Sequence, residues 1–345
     1  MNDHPAHLEP LFGRHETFAP RYGWFKKAQD ALVSTPTVFL EEDATLRLGV
    51  GKNMVRSMRF WSGAAGLITP RKQGTVDAQP SHLANVLLGN GGWDPYLEYP
   101  ASTWLLHWRL LSPGCHLPVW WFAFNDFSYP EFSVATLSAE AHRAMTPLYG
   151  IKEPAASSVK RDSECLVQTY VRKPSGKTLA DDVVASPFRT LGLLEAEVDR
   201  SGVYRFRVGP KPTLPAPLVL FASLEFSARL GQRARSVSLG RLLRDAGSPG
   251  RSFKLDEDSL LAALFAASAE RDDVWVTDTA GVSALQFQDE AEGIAVSVLN
   301  AYYRKATGST VVLKHLRDED DLLAAAVGPA PAVGPRLRKP RSPRT

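Results

Sequence analysis

The chain has very little cysteine: Cys115 and Cys165 are the only two in 345 residues. So few exclude a disulfide framework and a cysteine-rich zinc knuckle, and they fit a reducing cytoplasm. Long apolar runs are missing as well. The most apolar window, Trp104 to Phe124, is broken by Pro113, Gly114 and Pro118 and carries His107, Arg109 and His116. A membrane-crossing helix needs about 20 nearly uninterrupted apolar residues, so this window reads as core. The first ten residues, MNDHPAHLEP, have no apolar stretch of the kind a secretory signal needs. The expectation is a cytoplasmic protein.

Catalytic signatures are absent too. The eight histidines stand at 4, 7, 15, 82, 107, 116, 142 and 315 and form no His-x3-His or HExxH pair, which argues against a zinc protease. There is no Gly-x-Ser-x-Gly elbow. Asp278-Thr279-Ala280 has Ala280 where an aspartic protease needs Gly, and no second copy exists, so a hairpin turn is the better account. Gly49-x-Gly51-Lys52 fails as a phosphate loop, with Leu46 in place of the first Gly and Asn53 in place of Ser or Thr. The acidic runs Asp256–Asp258 and Glu319–Asp321 read as helix starts. The sequence thus points to no catalytic group, cofactor or metal.

Charge is modest overall, at +3, but unevenly placed. Residues 331–345 hold Arg336, Arg338, Lys339, Arg341 and Arg344 and no acid, so the other 330 residues sum to −2. Nucleic-acid contact would need a local patch. The Pro-rich basic tail, 328–345, reads as disordered; it either solubilises the chain or adds sequence-independent electrostatic grip on DNA.

One local patch stands out. From Ala44 to Val76 there are six Lys or Arg side chains (Arg47, Lys52, Arg56, Arg59, Arg71, Lys72) and no Asp or Glu. Within it, ATLRLGVGKNMVRSMRFWSGAAGLI (44–68) reads as a helix, a tight turn at Gly49-Val50-Gly51, a second helix, and an exit at Gly66-Leu67-Ile68. That is the layout of a helix-turn-helix, which lays its second helix in the major groove of DNA. Leu48, Val50, Val55 and Met58 would pack the two helices together. Lys52, Asn53 and Arg56 would lie on the exposed first half of the second helix. Asn suits adenine, and Arg suits guanine or phosphate. Thr69–Val76, with Gly74 at its turn, reads as a short β-wing that would bring Arg71 and Lys72 near phosphates.

This stretch resembles the winged-helix regulators in Ala44, Leu48-Gly49-Val50, Gly51, Met54-Val55-Arg56 and Gly66-Leu67-Ile68. It departs from them at Ala65, where they carry Glu, at Arg59, where Leu is usual, and at Phe60-Trp61, where they prefer polar residues. The departures leave two uses open: groove contact, or a helix-turn-helix that serves the fold or binds protein.

Between Trp93 and Phe132 lie twelve of the 33 aromatics. Core packing explains such density, since aromatics bury the most area per residue; a stacking platform for bases is the sharper alternative. Residues 1–17 read as a flexible leader, 18–78 as the winged helix-turn-helix-like domain, 79–150 as an aromatic-rich helical region, and 151–214 as a linker or mixed region. In the last of these, Ser157–Val171 is amphipathic, with Lys160, Arg161, Asp162 and Glu164 expected in solvent, and Val203–Val208 alternates as a strand. Residues 215–327 read as a helix-and-hairpin domain with a second winged-helix-like order. The fold class expected is mainly α with small β-wings (α+β).

Over nearly its whole length the chain also resembles an uncharacterised bacterial family, a domain of unknown function. The resemblance rests on Pro20-Arg21-Tyr22-Gly23-Trp24 with Lys27, on Leu48 to Val55, on Trp93-Asp94-Pro95-Tyr96-Leu97-Glu98, and on Trp104-Leu105-Leu106-His107-Trp108. It implies a place among bacterial DNA phosphorothioation and phage-defence genes, often beside a PAPS-reductase-like sulfurtransferase. No catalytic residue is carried over by it. The expected function is a non-enzymatic subunit that binds duplex DNA. The alternatives are a scaffold docking the sulfurtransferase or another defence enzyme, a transcriptional regulator, and an unrecognised nuclease or transferase.

Overall fold

The structure, a computed structural model, describes residues 10–70, 78–171, 185–231, 234–279 and 282–315. It begins with α1 (Trp24–Ser34), preceded by Gly23 at φ 78° and burying Trp24, Phe25, Ala28 and Leu32 along one face. Pro36 ends that helix. The short α2 (Ala44–Leu48) closes on Gly49, whose φ of 59° is the left-handed turn that lets the chain double back. Gly51 then caps α3 (Lys52–Ala64). The Lys27 ammonium on α1 donates to the Leu48 carbonyl at 2.9 Å, which fixes the end of α2 against α1.

After α3, β1 (Ile68–Pro70) pairs antiparallel with β2 (Ala78–Pro80), Thr69 opposite Gln79. The Ala78 amide also donates to the Pro36 carbonyl at 3.0 Å, so the chain leaving α1 lies along the far side of β2. The expected wing over 69–76 is therefore bracketed by a two-stranded ladder, but Arg71, Lys72 and Gly74 lie outside the described residues. Beneath the ladder sits a small cluster of Leu32, Val38, Ile68 and Ala78.

α4 (His82–Leu88) is capped by Ser81, whose hydroxyl accepts the Ala84 amide at 3.0 Å. Four helices follow: α5 (Pro100–Leu110), α6 (Pro118–Asn125), α7 (Val134–Tyr149) and α8 (Ala156–Tyr170). The strands β3 (Phe132–Ser133), β4 (Leu194–Ala196) and β5 (Val203–Phe206) form a small antiparallel sheet in the order β3-β5-β4.

The last part contains α9 (Ala216–Leu230), β6 (Ser236–Ser238), α10 (Leu239–Arg244), α11 (Pro249–Phe253), α12 (Glu257–Ser268), β7 (Val274–Thr279), β8 (Val282–Phe287) and α13 (Ala291–Thr307). Its sheet is antiparallel in the order β6-β8-β7. The fold is thus mainly α with small antiparallel sheets, as the sequence implied.

The packing bears on several sequence-based expectations. One continuous core runs from Trp24 to Leu313, so the divisions expected near 150 and 214 separate no cores. The region expected as linker or mixed contains α8, the amphipathic stretch expected there, whose Val159, Leu166 and Tyr170 are wholly buried. Asp162, expected in solvent, is buried, and so is His15 in the expected flexible leader. The two are bonded to each other at 2.8 Å, so residues 10–17 are part of the body.

The quoted family motifs are largely explained by this core. Asp94 accepts the amides of Glu98 at 2.8 Å and Tyr99 at 2.9 Å and the Ser102 hydroxyl at 2.5 Å, which sets the start of α5. Trp93 stacks on Tyr303 of α13 at 4.3 Å. Trp104, Trp108, Trp120 and Phe124 are all buried. The aromatic density is core packing.

Candidate nucleic-acid interface

The basic face is built by the turn between α2 and α3. Val55 and Met58 face the core, so Lys52, Asn53 and Arg56 face solvent. No side chain caps α3. Its first-turn amides, which have no intrahelical partner, point outward beside the two cations. A helix N-terminus of this kind favours an anion.

Arg56 is 53% exposed and sits 3.6 Å from the Glu16 carboxylate. Arg47 is exposed and held by acids of its own surroundings: Asp43 at 2.9 Å, Glu41 at 3.2 Å, and the Thr35 hydroxyl at 3.0 Å. The Asp43 hydrogen bond is the main cause that raises its pKa. Arg59 is half-buried and its pKa is lowered by burial. The structure thus brings Lys52, Asn53 and Arg56 together on one exposed face. Arg47 stands apart at the end of α2, and Arg59 turns toward the core. Arg71, Lys72 and the tail cations Arg336, Arg338, Lys339, Arg341 and Arg344 lie outside the described residues.

The departures from the regulator pattern have a packing cause. Trp61 is buried, its indole donates to the Phe18 carbonyl at 2.9 Å, and its ring meets Trp120 edge-on at 5.7 Å. Phe60 packs at the same place, 5.5 Å from Trp61. Ala65 is fully buried, where a Glu would be left without solvent. The second half of α3 is core, and only its first half faces out.

Glu16, Glu41 and Asp43 were not singled out by sequence reasoning. The Asp43–Arg47 spacing of four within a helix start was a usable signal. Glu16, forty residues from Arg56, had none.

Elsewhere several buried polar groups are engaged by other protein groups. Glu225 accepts the Trp108 indole at 2.6 Å and the guanidinium groups of Arg229 at 2.6 Å and Arg109 at 3.4 Å. Burial pushes its carboxyl up, but Arg229, Arg109 and these hydrogen bonds overcome that and hold it at about 2. His107 lies between the Tyr170 hydroxyl and the Ser252 carbonyl, both at 2.8 Å; the carbonyl can only accept, so Nε2 carries the proton. Burial lowers its pKa to about 4. Lys254 donates to the Phe124 carbonyl at 2.8 Å at the end of α6. Burial pushes the Cys115 thiol up to about 12, so it is no nucleophile. Among the described residues, no three His, Cys, Asp or Glu side chains come together as a metal site, and no helix is long and apolar enough to cross a membrane.

These features define a mainly helical α+β protein whose clearest exposed feature is the basic start of α3. The chain belongs to the DUF4007 family of proteins of unknown function, whose pattern it matches over residues 12–303. Two solved structures are similar to it. One, an SspB crystal structure, is 36% identical, with a TM-score of 0.79, over 87% of this chain and 89% of that one. The other, a magnesium ion-bound SspB crystal structure, is 34% identical, with a TM-score of 0.83, over 94% of this chain and 98% of that one. No curated protein matches the chain.

Proposed function

We propose that the chain is a DNA-binding subunit of a bacterial DNA-modification system linked to phosphorothioation, or of a phage-defence system, working in the cytoplasm. The observation that carries the DNA contact is the solvent-facing grouping of Lys52, Asn53 and Arg56 at an uncapped helix start. The family resemblance supplies the setting and a PAPS-reductase-like sulfurtransferase as the expected neighbour.

The order of elements supports a winged-helix reading of both ends. In the last part a helix, a strand, helices and a hairpin follow in turn, with the final strand central in β6-β8-β7. The first part repeats this plan, its first strand reduced to the Pro36 carbonyl on β2. The long helix before each hairpin differs in sign. α3 opens with Lys52 and Arg56, whereas α12 opens with Glu257 and Asp258 after the cap Asp256. Phosphates would be repelled by α12, which favours α3 over α12 for the DNA contact. The scaffold alternative loses its motive, because Trp104 and Trp108 form no exposed patch.

The test is a gel-shift series with plain and phosphorothioated duplexes at two salt concentrations. Binding that weakens steeply with salt supports the reading. No shift at low salt contradicts it.

A second reading is favoured by one observation, the magnesium ion on a relative 34% identical to this chain. Magnesium commonly serves phosphodiester chemistry, so the chain would be a strand-cleaving enzyme on the DNA it holds. The described residues do not make the site. The buried carboxylates of Asp94, Asp162 and Glu225 are each engaged by protein donors, and no metal grouping is present among the described residues. No catalytic step is therefore assigned. Conversion of supercoiled plasmid to a nicked form with magnesium, and none with a chelator, would favour this reading over the first.

A further inference from the structure

We propose that Glu16 is a built-in phosphate mimic, held on Arg56 by a strap over residues 13–17, and that DNA must displace it to engage α3. The proposal rests on the reading of α3 as the DNA-contacting helix and adds how that helix is restrained.

Three observations converge on the strap. The Glu16 carboxylate lies 3.6 Å from the Arg56 guanidinium, an anion on the cation that a backbone phosphate would need. Arg56 remains 53% exposed, so a phosphate can reach it from outside.

The strap is anchored on both sides of Glu16. His15 is buried and donates from Nε2 to Asp162 at 2.8 Å, and Asp162 also accepts the Gly13 amide at 2.9 Å. The Thr17 amide donates to His15 Nδ1 at 3.1 Å. The Phe18 carbonyl accepts the Trp61 indole of α3 itself at 2.9 Å. The carboxylate is thus delivered by a fixed piece of backbone rather than by a chance surface rotamer.

The backbone there is also unusual. Glu16 and Thr17 take left-handed φ values of 50° and 64°. Such values are uncommon for any residue with a Cβ and are most costly for a β-branched one such as Thr17. Strain of this sort persists only where neighbours enforce it, and it collects at switches and ligand clamps. Here the anchors enforce it, and the result is a carboxylate aimed at α3. Arg47 is treated alike, with Glu41 and Asp43 on its guanidinium.

The experiment measures affinity of the full chain for a short duplex at fixed salt, with E16Q, R56A, their combination, and E42Q. Glu42 is an exposed carboxylate just before α2, so E42Q matches the change in net charge. E16Q should tighten binding about three- to five-fold, the size of a surface ion pair, and clearly more than E42Q. In the R56A background, E16Q should gain no more than E42Q does, because the partner is gone and only the change in net charge remains. Equal binding by E16Q and the unaltered chain, an equal gain from E42Q, or an undiminished gain in the R56A background overturns the proposal. If R56A weakens binding while E16Q has no effect, only the mimic falls. If neither the unaltered chain nor E16Q binds duplex at low salt, the α3 reading falls and takes the mimic with it.

Discussion

The His15 imidazole donates to the Asp162 carboxylate at 2.8 Å across 147 residues of sequence, and both groups are buried. The ring also packs 6.2 Å from Trp61 and 5.9 Å from Trp120. One side chain therefore ties the first described residues to α3, α6 and α8 together.

Replacing His15 with Ala would leave a buried carboxylate short of a donor and a gap between two indoles. We expect a loss of about 3 kcal/mol, read as a lower urea midpoint. Asp162→Asn keeps the shape and an acceptor, so it should cost less. An H15A chain as stable as the original would show that the strap is not anchored there.

Glu225 predicts the acid limb of stability. Its folded pKa of about 2 lies below the ordinary 4.5. A depressed carboxyl contributes stability that is present above the unfolded value and is lost as pH falls through the folded one. His107 acts in the same direction: its folded pKa, about 4, lies below 6.5, so the stability it contributes is present above 6.5 and lost as pH falls toward 4. Thermal melts should therefore fall progressively from about pH 6.5 downward. Glu225→Ala leaves two guanidinium groups without their shared acceptor and should cost about 3–5 kcal/mol near neutral pH. It should also flatten the acid limb below pH 4.5, where Glu225 itself titrates. An unchanged limb in that variant would contradict the assignment.

Two glycines should respond with opposite signs. Gly66, which ends the turn after α3, has φ 67°, and a Cβ there would come 3.1 Å from the Arg109 guanidinium. Gly66→Ala should destabilise by about 1–2 kcal/mol for the backbone alone. Gly293, exposed near the start of α13, meets nothing within 4 Å. Gly293→Ala should stabilise by up to about 1 kcal/mol through helix propensity. Chemical denaturation of the two variants checks both signs.

Local signals carried what the sequence revealed. Gly49, Gly51 and the spacing of Leu48, Val55 and Met58 announced the α2–α3 turn, and the alternation over Val203–Val208 announced β5. The run Leu218–Leu224 is apolar throughout, and a segment buried on every side has no periodicity to tell helix from strand; it lies within α9. Contacts between distant segments had no signature. The single core, the burial of Asp162 and the seat of Glu16 on Arg56 all arise from pairings far apart in the chain. Phe60 and Trp61 were legible as departures from a free recognition helix, and their burial beside Trp120 gives the reason.

The most direct measurement is the salt dependence of duplex binding by the unaltered chain and by the Lys52→Ala, Arg56→Ala double variant. If the start of α3 holds the DNA backbone, the variant binds more weakly and its log–log salt slope is shallower by about two, one for each phosphate contact removed. Equal affinity and equal slope would remove α3 from DNA contact.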